Sequence, residues 1–388
     1  MSGRNFLFVP GPTNVPDRIL RAMSVASEDH RSPDFPHLTQ ACLDGLKGVF
    51  KTATGVPLLF PSSGTGCWEA ALTNCLSPGA KVLIARFGQF SHLWAEMCRR
   101  LGFEVDILET PWGKGAPVDR YLAALEADRQ HTIRAVLVCQ NETATGVASD
   151  VAAVRRAMDS IGHPALLFVD AVSALASIDF RMDEWGVDVC ISGSQKGLML
   201  PAGLGVTCVS QKALEAAKRA TSRRCYFDYG DMVAANASGY FPYTPSLQMM
   251  YALRESLLML AEEGLENVFR RHRYLAGGAR AAVMQGWNLK LCATAPEWYS
   301  DTVTAVMVPA GVDAAAVITR AYTRYNLSLG AGLSKVAGKL FRIGHLGDLN
   351  ELMLLGAIAG SEMAMLDLGM NIQPGSGVAA AQSYWRNP

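Results

Sequence analysis

Seven short runs rich in Val, Ile and Leu recur between residues 56 and 209: VPLLF (56–60), KVLIA (81–85), EVDIL (104–108), IRAVLVC (133–139), ALLFVD (165–170), GVDVCIS (186–192) and GLGVTCV (203–209). Most are apolar at nearly every position instead of alternating, which predicts strands covered on both faces. Stretches of helical period such as GCWEAALTNCL, SHLWAEMCRRLG and SDVAAVRRAMDSIG separate them. This rhythm predicts an open α/β unit with a largely parallel sheet and helices on either side. Ahead of it, FLFVPGPTNVPD holds three prolines and a glycine and reads as an extended arm. Residues 246–282 are continuously helical in pattern, with a break expected near Gly264. Beyond them lies a smaller α+β pattern: strand TVTAVMV (302–308), helix VDAAAVITRAYTRY, strand LFRIG and a closing helix LNELMLLGAIAGSEMAMLDLG. The expected divisions are an arm over 1–20, a large domain over 21–265 and a small C-terminal domain over 266–388.

Charge excludes several functions. Thirty-five basic residues balance 35 acidic ones, so no field exists to hold nucleic acid or an anionic membrane surface. The seven histidines are scattered without the spacing of a metal site, and no metal is expected. Nine cysteines, an odd number with no C-x-x-C, lie mostly inside apolar runs and suit buried free thiols in a reducing compartment. No apolar run approaches the ~20 residues of a membrane span, and the N-terminus lacks the pattern of a secretory signal. A cytoplasmic protein is expected.

Open α/β sheets bind ligands beyond the carboxyl ends of their strands, so the residues that each run presents there matter. The first run leads into SSGTG and then a helix. Ser63, Gly64 and Thr65 there could aim free backbone N–H groups at a phosphate, although a turn capped by Thr65 would look the same. The second presents Arg86, Phe90 and His92; an aromatic ring here can cover a planar ligand or simply join the core. The fourth ends in QNETATGV, a cluster of hydrogen-bonding side chains that also suits an ordinary loop. Asp170 closes the fifth run. A strand-end aspartate can merely cap a turn, but a buried carboxylate needs a partner, and a protonated pyridine nitrogen is one. Lys196 comes after the sixth run in SGSQKGLMLPAGLG. It could snorkel from a turn, yet apolar flanks and a nearby cation would lower its pKa and free a nucleophilic amine. Arg342 sits inside the run KLFRIGHLG, where it could form a salt bridge or grip a carboxylate with two parallel hydrogen bonds. Phosphate cradle, ring cover, aspartate and lysine together are what pyridoxal 5′-phosphate requires.

The segments VPGPTNVP, DHRSPDF, FPSSGTGCWEAAL, NETATGV, LLFVDAVSAL, SGSQKGLMLPAGLG, YTP, LRESL, EEGLENV and KLFRIGHLG resemble the class V aminotransferases of the fold-type I pyridoxal phosphate enzymes. The resemblance covers nearly the whole chain and is strongest to the bacterial serine–glyoxylate and alanine–glyoxylate types. It implies a fold-type I architecture and a homodimer with shared active sites. Lys196 would hold the cofactor as a Schiff base, and Asp170 would pair with its ring nitrogen. Ser63, Gly64 and Thr65 would bind the phosphate with help from Gln195. Phe90 would cover the ring, where the animal alanine–glyoxylate enzymes carry a tryptophan, and Thr143 would reach the ring oxygen or the substrate. Arg342 would bind the substrate α-carboxylate. Tyr243 and Thr244 would complete the partner's phosphate site, and Asn14 on the arm would lie near the substrate channel.

The reaction so implied moves the amino group of L-serine, or a similar small amino acid, to glyoxylate and yields glycine and hydroxypyruvate. Aspartate or alanine could serve as donor by the same chemistry; aspartate would need a second cation, for which Arg31 and Arg86 are candidates. A different reaction on the same cofactor, a lyase such as a cysteine desulfurase, would need a reactive cysteine in the C-terminal half, where Cys292 alone lies beyond residue 225. A nucleotide-binding or non-enzymatic α/β protein is a third reading, although neither G-x-G-x-x-G nor G-x-x-x-x-G-K-[ST] occurs after a strand.

Overall fold

A computed structural model describes residues 5–387; the first four residues of the expected arm lie outside it. The strands, in chain order, are β1 (Phe6–Phe8), β2 (Val56–Ser62), β3 (Lys81–Arg86), β4 (Glu104–Glu109), β5 (Ile133–Cys139), β6 (Asn141–Glu142), β7 (Val147–Ala148), β8 (Leu166–Asp170), β9 (Val189–Gly193), β10 (Gly203–Val209), β11 (Lys290–Leu291), β12 (Val303–Met307), β13 (Leu327–Ala331) and β14 (Leu340–Gly344). All seven apolar runs form strands of one sheet, in the order β2-β10-β9-β8-β5-β3-β4. Neighbouring residues along each strand enter different cores. Leu58 and Phe60 join one and Leu59 the other; Leu137 and Phe168 likewise oppose Val136, Val138, Leu167 and Val169. Both faces are therefore apolar and both are covered, as the unbroken runs require.

The sheet is parallel except for β10, which runs antiparallel to both β2 and β9. The connection from β9, residues 194–202, is too short for the crossover that a parallel neighbour needs. That reversal brings the start of β10 to the edge where β2, β3, β5, β8 and β9 end. The loop carrying Lys196 is folded back there with it.

The second sheet has the order β1-β13-β14-β12-β11. The arm contributes to it: Phe6 and Phe8 pair in parallel with Leu327 and Leu329 of β13. The arm is thus extended, but its first part is a strand of the C-terminal sheet, with Phe8 buried in that sheet's core. The long helical stretch divides into helices Leu247–Glu263 and Leu265–Ala281, with Gly264 between them at φ 81°. Left-handed backbone of that kind favours glycine. Among the described residues no helix is long and apolar enough to cross a membrane.

Candidate active site

The end of β2 delivers Ser63 as the N-cap of helix Gly64–Cys75, in extended conformation and with no side-chain capping bond. Thr65 lies inside the helix, not at its cap, so the capped-turn alternative fails. The first backbone N–H groups are left facing a cavity of about 300 Å³ lined by Ser63, Gly64, Thr65, Trp68, Phe90, Asn141, Thr143, Asp170, Ser173, Gln195 and Lys196, together with Gly11 and Pro12 of the arm. A helix N-terminus of this kind attracts an anion through its unpaired donors and the positive end of its dipole. Gln195 Oε1 and the Gly64 amide border the same space beside Gly193, and that oxygen is buried without a partner among the described residues.

Phe90 is the second residue of helix Gln89–Arg100. The start of that helix is clamped by the buried carboxylate of Glu142, which accepts from the Phe90 amide at 3.2 Å, the Ser91 amide at 2.9 Å and Ser91 Oγ at 3.1 Å. Beside it, Thr143 Oγ1 and Ser173 Oγ are 2.7 Å apart, and Asn141 Nδ2 donates to Ser173 Oγ at 2.9 Å. Asn141, Ser173 and Trp68 line the cavity without having been singled out by sequence. The first two sit close in sequence to the expected residues Thr143 and Asp170. Trp68 stands nearly one helical turn after Thr65, a periodicity that was the available signal.

Asp170 ends β8, and its Oδ1 accepts the Val172 amide at 2.8 Å. Burial pushes this carboxyl up to about 7; the Val172 amide opposes the rise, while the Glu142 charge adds to it. Lys196 comes after β9 and is 8% exposed. Burial, helped by the Arg342 charge, lowers its amine to about 8. Its Nζ donates to the Pro10 carbonyl of the arm, and Thr13 Oγ1 donates to the Lys196 carbonyl at 3.2 Å. Gly197 lets this loop approach the same chain: an added Cβ would meet the Leu175 carbonyl and stand 2.5 Å from Ser177 Oγ.

Arg342 occupies the middle of β14, buried opposite Gly330 and Ala305. Its Nε donates to the Ala331 carbonyl and one terminal nitrogen to the Thr143 carbonyl, each at 2.9 Å. No carboxylate pairs with it among the described residues, so the surface salt-bridge alternative does not apply. Burial lowers its pKa to about 10, which leaves it charged at neutral pH.

Besides Arg342, the expected residues Asn14, Arg31, Arg86, Tyr243 and Thr244 stand outside the cavity lining. Asn14 commits its side-chain amide to the Leu7 carbonyl at 2.9 Å, bracing the arm. Arg86 is ion-paired with Glu109. Tyr243 stacks on Tyr226 with centroids 4.4 Å apart, its hydroxyl buried without a partner among the described residues, and the adjoining Thr244 is exposed.

A family model described as aminotransferase class-V matches residues 5–337. The chain belongs to the class-V aminotransferases. This aminotransferase is 61% identical over 392 residues to a serine–glyoxylate aminotransferase of Methylorubrum extorquens, covering 100% of this chain and 97% of that one. It is 53% identical over 386 residues to an L-aspartate–glyoxylate aminotransferase of Paracoccus denitrificans, covering 100% and 97%. Among solved structures it superposes on a ureidoglycine–glyoxylate aminotransferase of Bacillus subtilis with a TM-score of 0.91, at 26% identity and 100% and 99% coverage. The fold is fold-type I, and the cofactor of this enzyme is pyridoxal 5′-phosphate. The residues present fit that group. The cavity offers uncapped N–H groups for a phosphate, a buried unpaired Gln195 oxygen beside them, an aromatic wall, and a carboxylate and an amine with opposed pKa shifts.

Proposed function

We propose that this aminotransferase moves the amino group of L-serine to glyoxylate, giving hydroxypyruvate and glycine. The observation that carries the choice of donor is the charge of the cavity. Lys196 is the one cation lining it among the described residues, and Arg342, just behind, is the one free to meet a carboxylate. A donor bearing a second carboxylate finds no further cation among the described residues lining the cavity, because Arg86 is held by Glu109 and Arg31 lies outside the lining.

In this reading Ser63, Gly64, Thr65 and Gln195 hold the cofactor phosphate, Phe90 covers its ring, and Thr143 meets the ring oxygen or the substrate. Bound there, pyridoxal phosphate supplies an aldehyde carbon that carries the amino group and a ring that draws electrons from the substrate α-carbon. Asp170 Oδ2, left free by the Val172 contact at Oδ1, holds a proton on the ring nitrogen. Arg342 orients the α-carboxylate with the donors that Ala331 and Thr143 leave free. Lys196 Nζ would carry the cofactor between turnovers; released as the neutral amine, it would take the α-proton of serine and pass it to the cofactor carbon that bears the amino group. Glyoxylate meets the same residues in the opposite order, and its lack of a side chain makes one arginine sufficient. The lyase reading loses support at Cys292, which is buried away from the cavity, with its thiol pushed up by burial to about 11.

We extend the proposal to a cytoplasmic homodimer, in which Tyr243 and Thr244 of each chain complete the partner's phosphate site and Asn14 borders the substrate channel through the arm. The divisions 1–20, 21–265 and 266–388 describe its arm, large domain and small domain. Mixing the holoenzyme with each amino acid in turn, and monitoring conversion of the cofactor to its amine form by absorbance, tests the donor. Serine should react fastest, and glyoxylate should reverse the conversion. Aspartate reacting while serine fails would overturn the choice.

A further inference from the structure

Helix Gln89–Arg100 begins without a cap of its own. Gly88, at its N-cap, has no side chain to accept the free N–H groups of the first turn. A serine there would accept them locally, without burying a carboxyl. The acceptor comes instead from Glu142 on β6, which is fully buried. Its Oε1 accepts the Phe90 amide and its Oε2 the Ser91 amide, so the two oxygens hold consecutive residues of the helix. The glycine at 88 is also what this contact needs: an added Cβ would meet Cγ and Cδ of Glu142 and stand 2.5 Å from Oε2.

The hairpin that carries Glu142 is tied to the rest of the site. Oε1 also accepts the Ala144 amide at 3.2 Å, which closes the turn around Thr143. Thr143 lines the cavity, meets Ser173 Oγ through its hydroxyl and holds Arg342 through its carbonyl. On the other side of Glu142, Asn141 Nδ2 donates to Thr302 Oγ1 at 2.9 Å, just before β12 of the second sheet. One carboxyl therefore joins the helix bearing Phe90 to the hairpin bearing Thr143 and, through it, to Arg342. A cap that served the helix alone would need no anchor on a different strand.

We infer that Glu142 is a positioning residue for Phe90: its buried carboxyl, bonded to both the helix start and the hairpin turn, holds the aromatic wall in register with Thr143 and Arg342. This rests on the reading of Phe90 as the cover of the cofactor ring and adds to it the group that sets where the cover stands.

Affinity of the apoenzyme for pyridoxamine phosphate, the amine form of the cofactor, reads the site without a bond to Lys196 and can be followed by quenching of tryptophan fluorescence. Phe90→Leu should weaken it about two- to tenfold, the worth of one aromatic stacking contact. Glu142→Gln puts an NH2 group where one oxygen accepts, and should weaken binding within that same range. Made in the Phe90→Leu background it should cost nothing further, because a residue that acts only through another does not add to its loss. Additive losses, or a Glu142→Gln affinity equal to wild type, overturn the inference and leave Glu142 a helix cap alone. Gly88→Ala decides the matter if Glu142→Gln does not fold. Position 88 has φ −172°, extended backbone open to alanine, so the added methyl acts by displacing the Glu142 carboxyl. It should weaken binding in the wild-type background and not in Phe90→Leu; equal effects in the two backgrounds overturn the inference. An affinity unchanged by Phe90→Leu itself would instead sink the underlying reading of Phe90, so the two failures are distinguishable.

Discussion

Lys196 and Arg342 are both buried, and the arginine's charge adds to burial in making the lysine harder to keep charged, while Arg342 is lowered by burial and supported by Glu142. The lysine yields because its proton is the more weakly held: its pKa falls from 10.5 to about 8, while the arginine, lowered to about 10, stays charged. The neutral amine therefore becomes available near physiological pH. The rate at which apoenzyme incorporates pyridoxal phosphate should rise with pH through a midpoint near 8. Arg342→Gln removes the nearby charge, so that midpoint should move upward, measurable by stopped-flow absorbance. The same variant should raise KM for serine by about ten- to hundredfold, the worth of a charge-assisted bidentate contact. An unchanged KM would remove Arg342 from the carboxylate site. Lys196 itself was legible because a lone lysine between glycines in apolar sequence is a local anomaly. Its contact with Pro10 was not, because those residues are 186 positions apart and nothing in the arm's composition points to the loop.

At the scale of elements, the strands were legible because burial on both faces writes itself as continuous apolar sequence, and the polar residues closing each run mark the site. Elements without that signal were missed. Helix Phe35–Phe50 precedes the rhythm, and β1 is three residues long and is held as a strand only by pairing with β13. Glu142 reads as one polar residue among several in NETATGV, yet it is the buried carboxyl that caps the helix bearing Phe90. Glycine context separates two substitutions that look alike on paper. Gly48 lies in helix Phe35–Phe50 with open space where a Cβ would go, so Gly48→Ala should stabilise by about 0.5–1 kcal/mol. Gly197→Ala would drive a methyl into the Leu175 carbonyl and should destabilise by about 1–3 kcal/mol while displacing the Lys196 loop. Denaturant melts of both variants, with cofactor content measured alongside, give the comparison. Equal stability of the two would mean that the loop 194–202 is free to move away.

At the scale of the molecule, the cavity of one chain gathers every expected cofactor residue except Tyr243 and Thr244. Tyr243 keeps a buried hydroxyl without a partner among the described residues, and Thr244 is exposed. Both are features of a surface that another subunit could use, and homo-oligomers are most often twofold dimers, in which each chain would lend the same residues to the other. Complementation separates lending from local use. A chain carrying Lys196→Ala retains intact Tyr243 and Thr244 but cannot hold the cofactor covalently. A chain carrying Tyr243→Phe and Thr244→Val retains Lys196. If the residues act across the interface, the purified heterodimer contains one site with Lys196 from the second chain and the tyrosine and threonine from the first. It should then show about half the wild-type activity, because a twofold dimer has two equivalent sites and one is restored. If Tyr243 and Thr244 act within their own chain, both sites of the heterodimer are damaged, and its activity should not exceed the mean of the two parent homodimers. Activity at that mean would return the arrangement to a self-contained subunit and require another donor for the open side of the phosphate cradle.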